Sequence, residues 1–461
     1  MPLFVLLPAD VVIGFLCALA LFALFFARRR SAAALRWREV FARPAPQAAC
    51  VVLLFFLSIA ACDSVHFRPL IGEGTSGPVY APAAVSLLDA SLAPLAAGRE
   101  RSYSAPFSAV EFDKSADPAG SGARINRPLA GVAPEALDDA RRTSDIGSRT
   151  LRGAAAGLFL ALAIVLLPAL ITAQRKGLPL REGIRGLARY RGFIAAAAVI
   201  AFLASLLLSL WSGYHPLGTD KTGNDVLLQA LKSIRTAFAL GTLATLSMPP
   251  FALLLGVAAG YFRGWVDDVV QYLYTTISAI PSVLLIAAAA LMIQVFIDRN
   301  PALLPTALER ADAKLFFIAI IIGVTSWAGL ARLLRAETMK LAALDFVTAS
   351  VAGGASRLRI MARHLIPNVM HIVLIVSVIG FSDIVLYEAV LSYIGVGVDP
   401  SMNSFGSMIN AARGEMSRTP AVWWNLASAF AFMVAIVLSA NLFASAVRDA
   451  FDPRSGKGGK S

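Results

Sequence analysis

Nine apolar, uncharged runs divide the chain, at residues 11–27, 44–62, 153–173, 192–211, 236–262, 269–297, 315–331, 369–382 (resuming past Asp383) and 420–447. A helix needs about 20 such residues to cross a hydrocarbon layer of about 30 Å. Inside that layer the backbone must satisfy its own hydrogen bonds, which leaves helices as the form these runs can take. With 57% hydrophobic and 15% charged residues over 461 positions, the chain is too apolar for a soluble domain and too patterned for a disordered one. These features predict an all-α integral membrane protein with about nine transmembrane helices.

Orientation follows from basic residues, which concentrate in short cytoplasmic loops. With the first residues outside, the inside loops hold 23 Lys and Arg, against 8 in the three short outside loops. The other 10 lie in 63–152, a segment too long for the rule to count. The expected topology is therefore N-out, C-in. The net charge of +12 gathers at membrane ends rather than along a soluble face with interleaved aromatics, which points to topology and anionic lipid instead of nucleic acid.

Segment 63–152 is rich in Ala, Pro, Gly and Ser, with 11 acidic and 10 basic residues, and reads as a periplasmic insert. Weak alternation at 80–85 and 102–112 suggests a strand or two, and 120–134 reads as loop. A small lid or docking domain and a simple linker both fit. Residues 1–191 thus form an N-terminal extension of three helices and the insert, ahead of a six-helix core at 192–454 and a tail at 455–461. The first run lacks a basic leader and precedes Arg28, Arg29 and Arg30, which suits a retained anchor. Cys17, Cys50 and Cys62 read as small buried hydrophobes, and the four histidines have no spacing that suggests a metal ligand pair. The terminal Gly-Lys-Ser lacks the first glycine of a phosphate loop, since Arg454 stands there, so no cofactor or nucleotide site is expected in this chain.

Between the seventh and eighth runs lies DFVTASVAGGASRLRIMARHLIPN, residues 345–368. Phe346, Val347, Ala349, Val351 and Ala352 make a short amphipathic turn, and Gly353 and Gly354 suit a left-handed helix end. Ser356 is a plausible N-cap for a second short helix with Leu358, Ile360, Met361 and Leu365 on one side and Arg357, Arg359 and Arg363 on the other. Pro367 should push Ile366 out of the helical region and open the next helix. The spacing resembles the EAA loop of ABC-importer permeases: Ala349, Gly354 and Pro367 fall on register, whereas Thr348, Ser350, His364 and Ile366 depart from it, Thr348 standing at the glutamate position.

Residues 214–226, YHPLGTDKTGNDV, resemble a signature of dipeptide and oligopeptide importer permeases of the C-type subunit, with Asn224 in place of its arginine. AGYFRGWVD at 259–267, EAVLSYIGVG at 388–397, SFGSM at 404–408 and VRDAFDPR at 447–454 are similar to further segments of that family. The resemblance covers roughly Gly192 to Arg454 and implies a type I importer core in the bacterial inner membrane. It implies no catalysis by this chain. Its expected partners are a second homologous permease, two cytoplasmic ATP-binding subunits and an extracytoplasmic substrate-binding protein. The loop at 345–368 would then be a coupling helix, with Phe346, Val347 and Leu358 filling a groove of the ATPase and the arginines at its rim. His215, Pro216, Gly218, Thr219, Asp220 and Asp225 would form the periplasmic mouth, Asp220 capping an amphipathic surface segment 224–235. Asp383 and Glu388, ionisable groups within the eighth run, are candidates for the pathway. Di- or oligopeptide is the expected cargo, with nickel or cationic peptides as alternatives. A channel or a membrane-anchored sensor without ATPase partners stays open on the helices and insert alone.

Overall fold

The computed structural model describes residues 3–26, 32–74, 77–95, 99–116, 123–130, 132, 137–177 and 179–451. The basic run 28–30, parts of the 120–134 loop, the last three residues of VRDAFDPR and the tail 455–461 lie outside the described residues.

The chain opens with β1 (Leu3–Val5), α1 (Pro8–Phe26), α2 (Ala32–Val40) and α3 (Pro44–Asp63). The insert contributes β2 (His66–Arg68), a β3 (Leu70–Gly74) and β4 (Gly77–Tyr80) hairpin, β5 (Val85–Ser86), α4 (Leu87–Leu92), and the pair β6 (Ser115–Ala116) and β7 (Arg124–Ile125). β2 lies between β1 and β5, antiparallel to both, so the chain start is stitched to the insert. The expected strand at 102–112 is instead irregular. Then follow α5 (Asp139–Lys176), α6 (Leu180–Gly186), α7 (Arg191–Trp211), α8 (Val226–Phe262), α9 (Trp265–Ala279), α10 (Ser282–Arg299) and α11 (Ala307–Ala342). The last elements are α12 (Asp345–Ala352), α13 (Arg357–Ile360), a π-turn (Met361–Leu365), α14 (Ile366–Ile394), α15 (Phe405–Glu415) and α16 (Trp424–Phe451).

Among the described residues, eight helices are long and apolar enough to cross a membrane: α3, α5, the 188–211 segment containing α7, α8, α10, α11, the continuous 357–394 segment and α16. The first run forms α1, of which Pro8–Ala20 is the apolar stretch with described side chains, and its sequence stays apolar to Phe26. The protein is an all-α membrane protein with a small β-containing insert. Three boundaries differ from the sequence reading. α5 starts at Asp139, capped by Asp138, well before residue 153. The 269–297 run breaks at Pro281 into α9 and α10, whereas Pro249 and Pro250 leave α8 continuous. The segment 224–235 is not a surface helix: from Val226 it is the start of α8, with Val226, Leu227 and Ile234 buried. Cys62 is exposed, and Cys17 and Cys50 are half-buried.

α8 and α11 form the central pair. Gly256 and Gly260 sit one turn apart on α8, and a methyl at either would come within 2.7 Å of a carbonyl oxygen of α11, at Ala331 and Arg335 respectively. Without a hydrophobic driving force in lipid, such small-residue faces let backbones close to van der Waals contact. Below them Val257, Ala259, Leu330 and Leu334 join Val347, Ile360, Leu365 and Val369 in one apolar cluster. A second cluster, with Ile234, Leu240, Leu315, Ile318, Phe405 and Trp424, fills the end nearer the insert and takes in Ile13 of α1 and Phe56 of α3.

Candidate functional site

The 345–368 loop sits at the end of α11 as two short helices around a glycine elbow. Gly354 has φ +75°, a left-handed conformation cheap only for glycine, with open space around it. Asp345 occupies the first turn of α12, where a carboxylate complements the helix dipole. Thr348, at the family's glutamate position, bonds back to Leu344 and Asp345 carbonyls at 3.1 Å and offers no charge outward. Ser356 stands at the expected N-cap but makes no side-chain cap bond.

Pro367 does not end the helix. Ile366 stays helical, and the five residues before it widen into the π-turn, where the Ile366 N–H donates to Met361 O. Proline lacks an N–H and its ring crowds the carbonyl four residues back. A π-turn relieves that conflict by shifting the register, and such turns recur at functional sites. The elbow therefore runs without a break into α14.

The loop's apolar residues divide between two faces. Val347 is 2% exposed and Ile360 and Leu365 are fully buried in the chain's own core. Val347 is thus unavailable to fill a partner's groove, contrary to the sequence reading. Phe346 and Leu358 do face outward, Leu358 at 72%, and Leu344 and Val351 join them. Phe346 leans on His364 at 6.0 Å between rings. Ala349, Arg359, Arg363 and Pro367 are exposed beside this patch, and Arg357 lies 6.0 Å over the Phe262 ring. Behind the loop, Arg335 grips Asp267 through two bonds of 2.5 and 2.6 Å, fastening α11 to the start of α9. That hydrogen bonding holds the Asp267 carboxyl below the usual carboxylate range.

At the other end, the HPLGTD segment is a turn clamped onto α8. Asp225, not Asp220, caps α8, accepting from the Leu227 and Leu228 amides at 2.8 and 3.1 Å. The other Asp225 oxygen takes the Trp211 indole N–H at 3.0 Å and His215 Nδ1 at 2.6 Å. Asp220 instead organises its own loop, accepting from the Thr222 and Asn224 amides. His215 Nε2 lies 3.7 Å from Glu100 of the insert. Burial opposes protonation of this ring, but hydrogen bonds to Asp225 and Glu100, with their charges, outweigh it and raise its pKa to about 9.

The insert covers this segment. Glu100 N–H donates to Gly223 O, Thr219 N–H to Ser104 O, and Phe107 N–H to His215 O. Ser104 N–H meets Thr219 Oγ1 at 2.6 Å, and that hydroxyl donates to Ser102 O. Gly223 leaves no room for a side chain against the Glu100 backbone. From α16 the Trp424 indole donates to Thr219 O while Phe112 packs edge-on against it. His215, Pro216, Gly218, Thr219 and Asp225 are consequently buried, and the expected mouth is roofed by residues 99–113. Neither a loose lid nor a linker describes this segment.

Asp383 and Glu388 separate. Asp383 is exposed on α14, whereas Glu388 is 3% exposed and receives the Ser392 hydroxyl at 2.7 Å and the Gly406 amide at 3.3 Å. Glu388 anchors the N-terminus of α15, which Ser404 caps in a reciprocal box with Ser407. Two separate sequence matches, EAVLSYIGVG and SFGSM, are therefore one structural joint.

Sequence reasoning missed a buried ionic cluster. Arg235 of α8 bonds Asp10 of α1 at 2.7 Å and Asp312 of α11 at 2.9 Å, and His66 of β2 meets the other Asp10 oxygen at 3.1 Å. Asp312 also accepts from the Ala9 amide. The four side chains are at most 8% exposed. They lock the extension to the two central helices. The charges fall in separate segments, and only their intrusion into or beside apolar runs could have flagged them.

Residues 252–457 match the model of the family described as "Binding-protein-dependent transport system inner membrane component". The oligopeptide transport system permease protein OppC of Mycobacterium tuberculosis is 29% identical over 290 residues, covering 58% of this chain and 93% of that one. The dipeptide transport system permease protein DppC of Alkalihalophilus pseudofirmus is 28% identical over 243 residues, 53% of this chain and 73% of the relative. The glutathione transport system permease protein GsiD of Pectobacterium atrosepticum is 28% identical over 291 residues, 57% and 88% respectively. Residues 252–457 thus match that family's domain, and the multi-pass helical chain is similar to permease subunits of ABC transport systems.

Proposed function

We propose that this chain is a permease subunit of an ATP-driven importer of di- or oligopeptides. Residues 192–454 form its permease core, N-out and C-in, and residues 1–191 are an added module. It works beside a homologous permease, with two cytoplasmic subunits that bind ATP and an extracytoplasmic binding protein. Relatives named for oligopeptide and dipeptide transport support the cargo. A relative named for glutathione transport favours a thiol tripeptide as the second choice.

The observation that carries the coupling role is the divided loop. One face, with Val347, Ile360 and Leu365, is locked into the core, and the other presents Phe346, Val351 and Leu358 amid arginines. A partner gripping the outer face would move α14 as a rigid body, with the Gly354 elbow fixing the angle between the short helices. Burying one exposed leucine contributes about 1.5–3 kcal/mol. Leu358→Asp should therefore weaken ATPase binding by roughly tenfold or more and uncouple hydrolysis from uptake, without loss of folded protein. Val347→Ala should lower thermal stability while retaining the ATPase. Gly354→Asp, strained at positive φ, should insert and fail in transport. Undiminished ATPase association and uptake in Leu358→Asp would contradict the coupling role.

A further inference from the structure

We propose that the insert, not the HPLGTD segment beneath it, is the docking surface for the extracytoplasmic binding protein, and that it takes an acidic face of that protein. This rests on the importer reading above. Residues 99–113 bury His215, Thr219 and Asp225 beneath paired backbone, so nothing arriving from outside can touch those side chains. What an arriving protein meets is the insert and the tip of the turn under it.

Charge is segregated there. Among the described side chains around the turn the carboxylates are withdrawn or occupied: Glu100 is buried against His215, and Asp225 caps α8. Asp220 is taken up by its own turn, and Asp113 pairs with Arg418 at 2.8 Å, whose guanidinium lies 4.8 Å over Tyr103. The cations point out. Arg99, Arg101 and Lys221 are all exposed, and the bond from Arg99 Nε to Thr222 O at 2.9 Å sets the insert's basic residues beside Lys221. Such a rim speeds encounter with an acidic surface and fixes its orientation, with a strong dependence on salt. The segment is also firmly held, so docking would be felt by α8 through Gly223 and Asp225 and by α16 through Trp424.

The test uses the full-length chain, purified with its permease and ATPase partners in nanodiscs. The probe is the binding protein that stimulates that complex's ATP hydrolysis. R101E/K221E removes two exposed cations that make no bond among the described residues, and R101Q/K221Q serves as the milder variant. The expected result is a rise of about tenfold in the binding protein's Kd for the charge reversal, smaller for the neutral pair, both shrinking at high salt. Unchanged affinity in both variants would overturn the proposal, as would a dependence on anionic lipid in the nanodisc in place of the binding protein. If no ATPase subunit and no binding protein associates with the unmodified chain, the importer reading itself fails, a different outcome from unaltered docking.

Discussion

Replacing His215 with glutamine tests whether one buried ring holds the insert on the core. The ring is 4% exposed and spans Asp225 at 2.6 Å and Glu100 at 3.7 Å, the second carboxylate belonging to the insert. Its pKa rises from 6.5 to about 9, although burial alone would lower it, because hydrogen bonds and charges from both carboxylates prevail. That rise corresponds to about 3 kcal/mol. The folded state holds the proton more tightly than the unfolded one, so the stabilisation is complete below pH 6.5 and fades as the pH climbs through about 9; Asp225 lies in the same turn as the ring, so only the share from Glu100 holds the insert. Hydrogen exchange reads it directly, since the Glu100, Ser104 and Phe107 amides bond across the joint. Corrected for intrinsic rates, their protection should fall from acidic to strongly alkaline conditions, by less than the roughly hundredfold that the whole rise would give. His215→Gln leaves two buried carboxylates without a cation. Its protection should be low throughout the range, with little of the wild-type pH dependence. Equal protection at both extremes in the wild type, or wild-type protection in His215→Gln, would refute the reasoning.

Two further outcomes follow from the packing. Arg235→Met strands Asp10 and Asp312 in a buried site and should cost about 3–5 kcal/mol, read as a lowered midpoint of thermal unfolding in detergent; an unchanged midpoint would remove the cluster's role in fixing α1 to α8 and α11. Gly256→Leu places bulk where even a methyl would meet Ala331 O at 2.7 Å, and should cost about 1–3 kcal/mol by prising α8 from α11. Retention of wild-type stability would show that the pair closes by other means.

Much of the helical frame was legible because apolar length is a property of single segments. The runs at 44–62, 192–211 and 315–331 each lie within one helix, since nothing beyond local composition decides whether a stretch can face lipid. Boundaries that depend on context were not legible. Pro281 breaks a run and the Pro249–Pro250 pair does not, although each lacks an N–H; the difference lies in whether neighbouring packing holds the helix on course, as α11 does along α8. The steric rule for the residue before proline makes Pro367 a boundary. The π-turn offered a third option that a two-state reading of helix or break omits.

The site was legible in kind and less so in orientation. Gly354 marks the elbow because its backbone conformation is written in its side chain, or lack of one. Val347 and Leu358, both apolar and near that elbow, look equivalent in sequence, yet one is core and the other surface. Only the fold of α12 and α13 around the glycine assigns them. The insert presents the same problem over a longer distance. Residues 99–113 show little periodicity because their backbone pairs with the turn at 215–223 rather than with a regular sheet, and their one strong signal, Glu100, has its counterpart over a hundred positions away at His215. A segment whose partners lie in another signature reads as linker until both are seen together. That is the physical ground for treating the insert and the turn at 215–223 as one unit: the order of residues 99–113 derives from that turn, so whatever displaces one must displace the other.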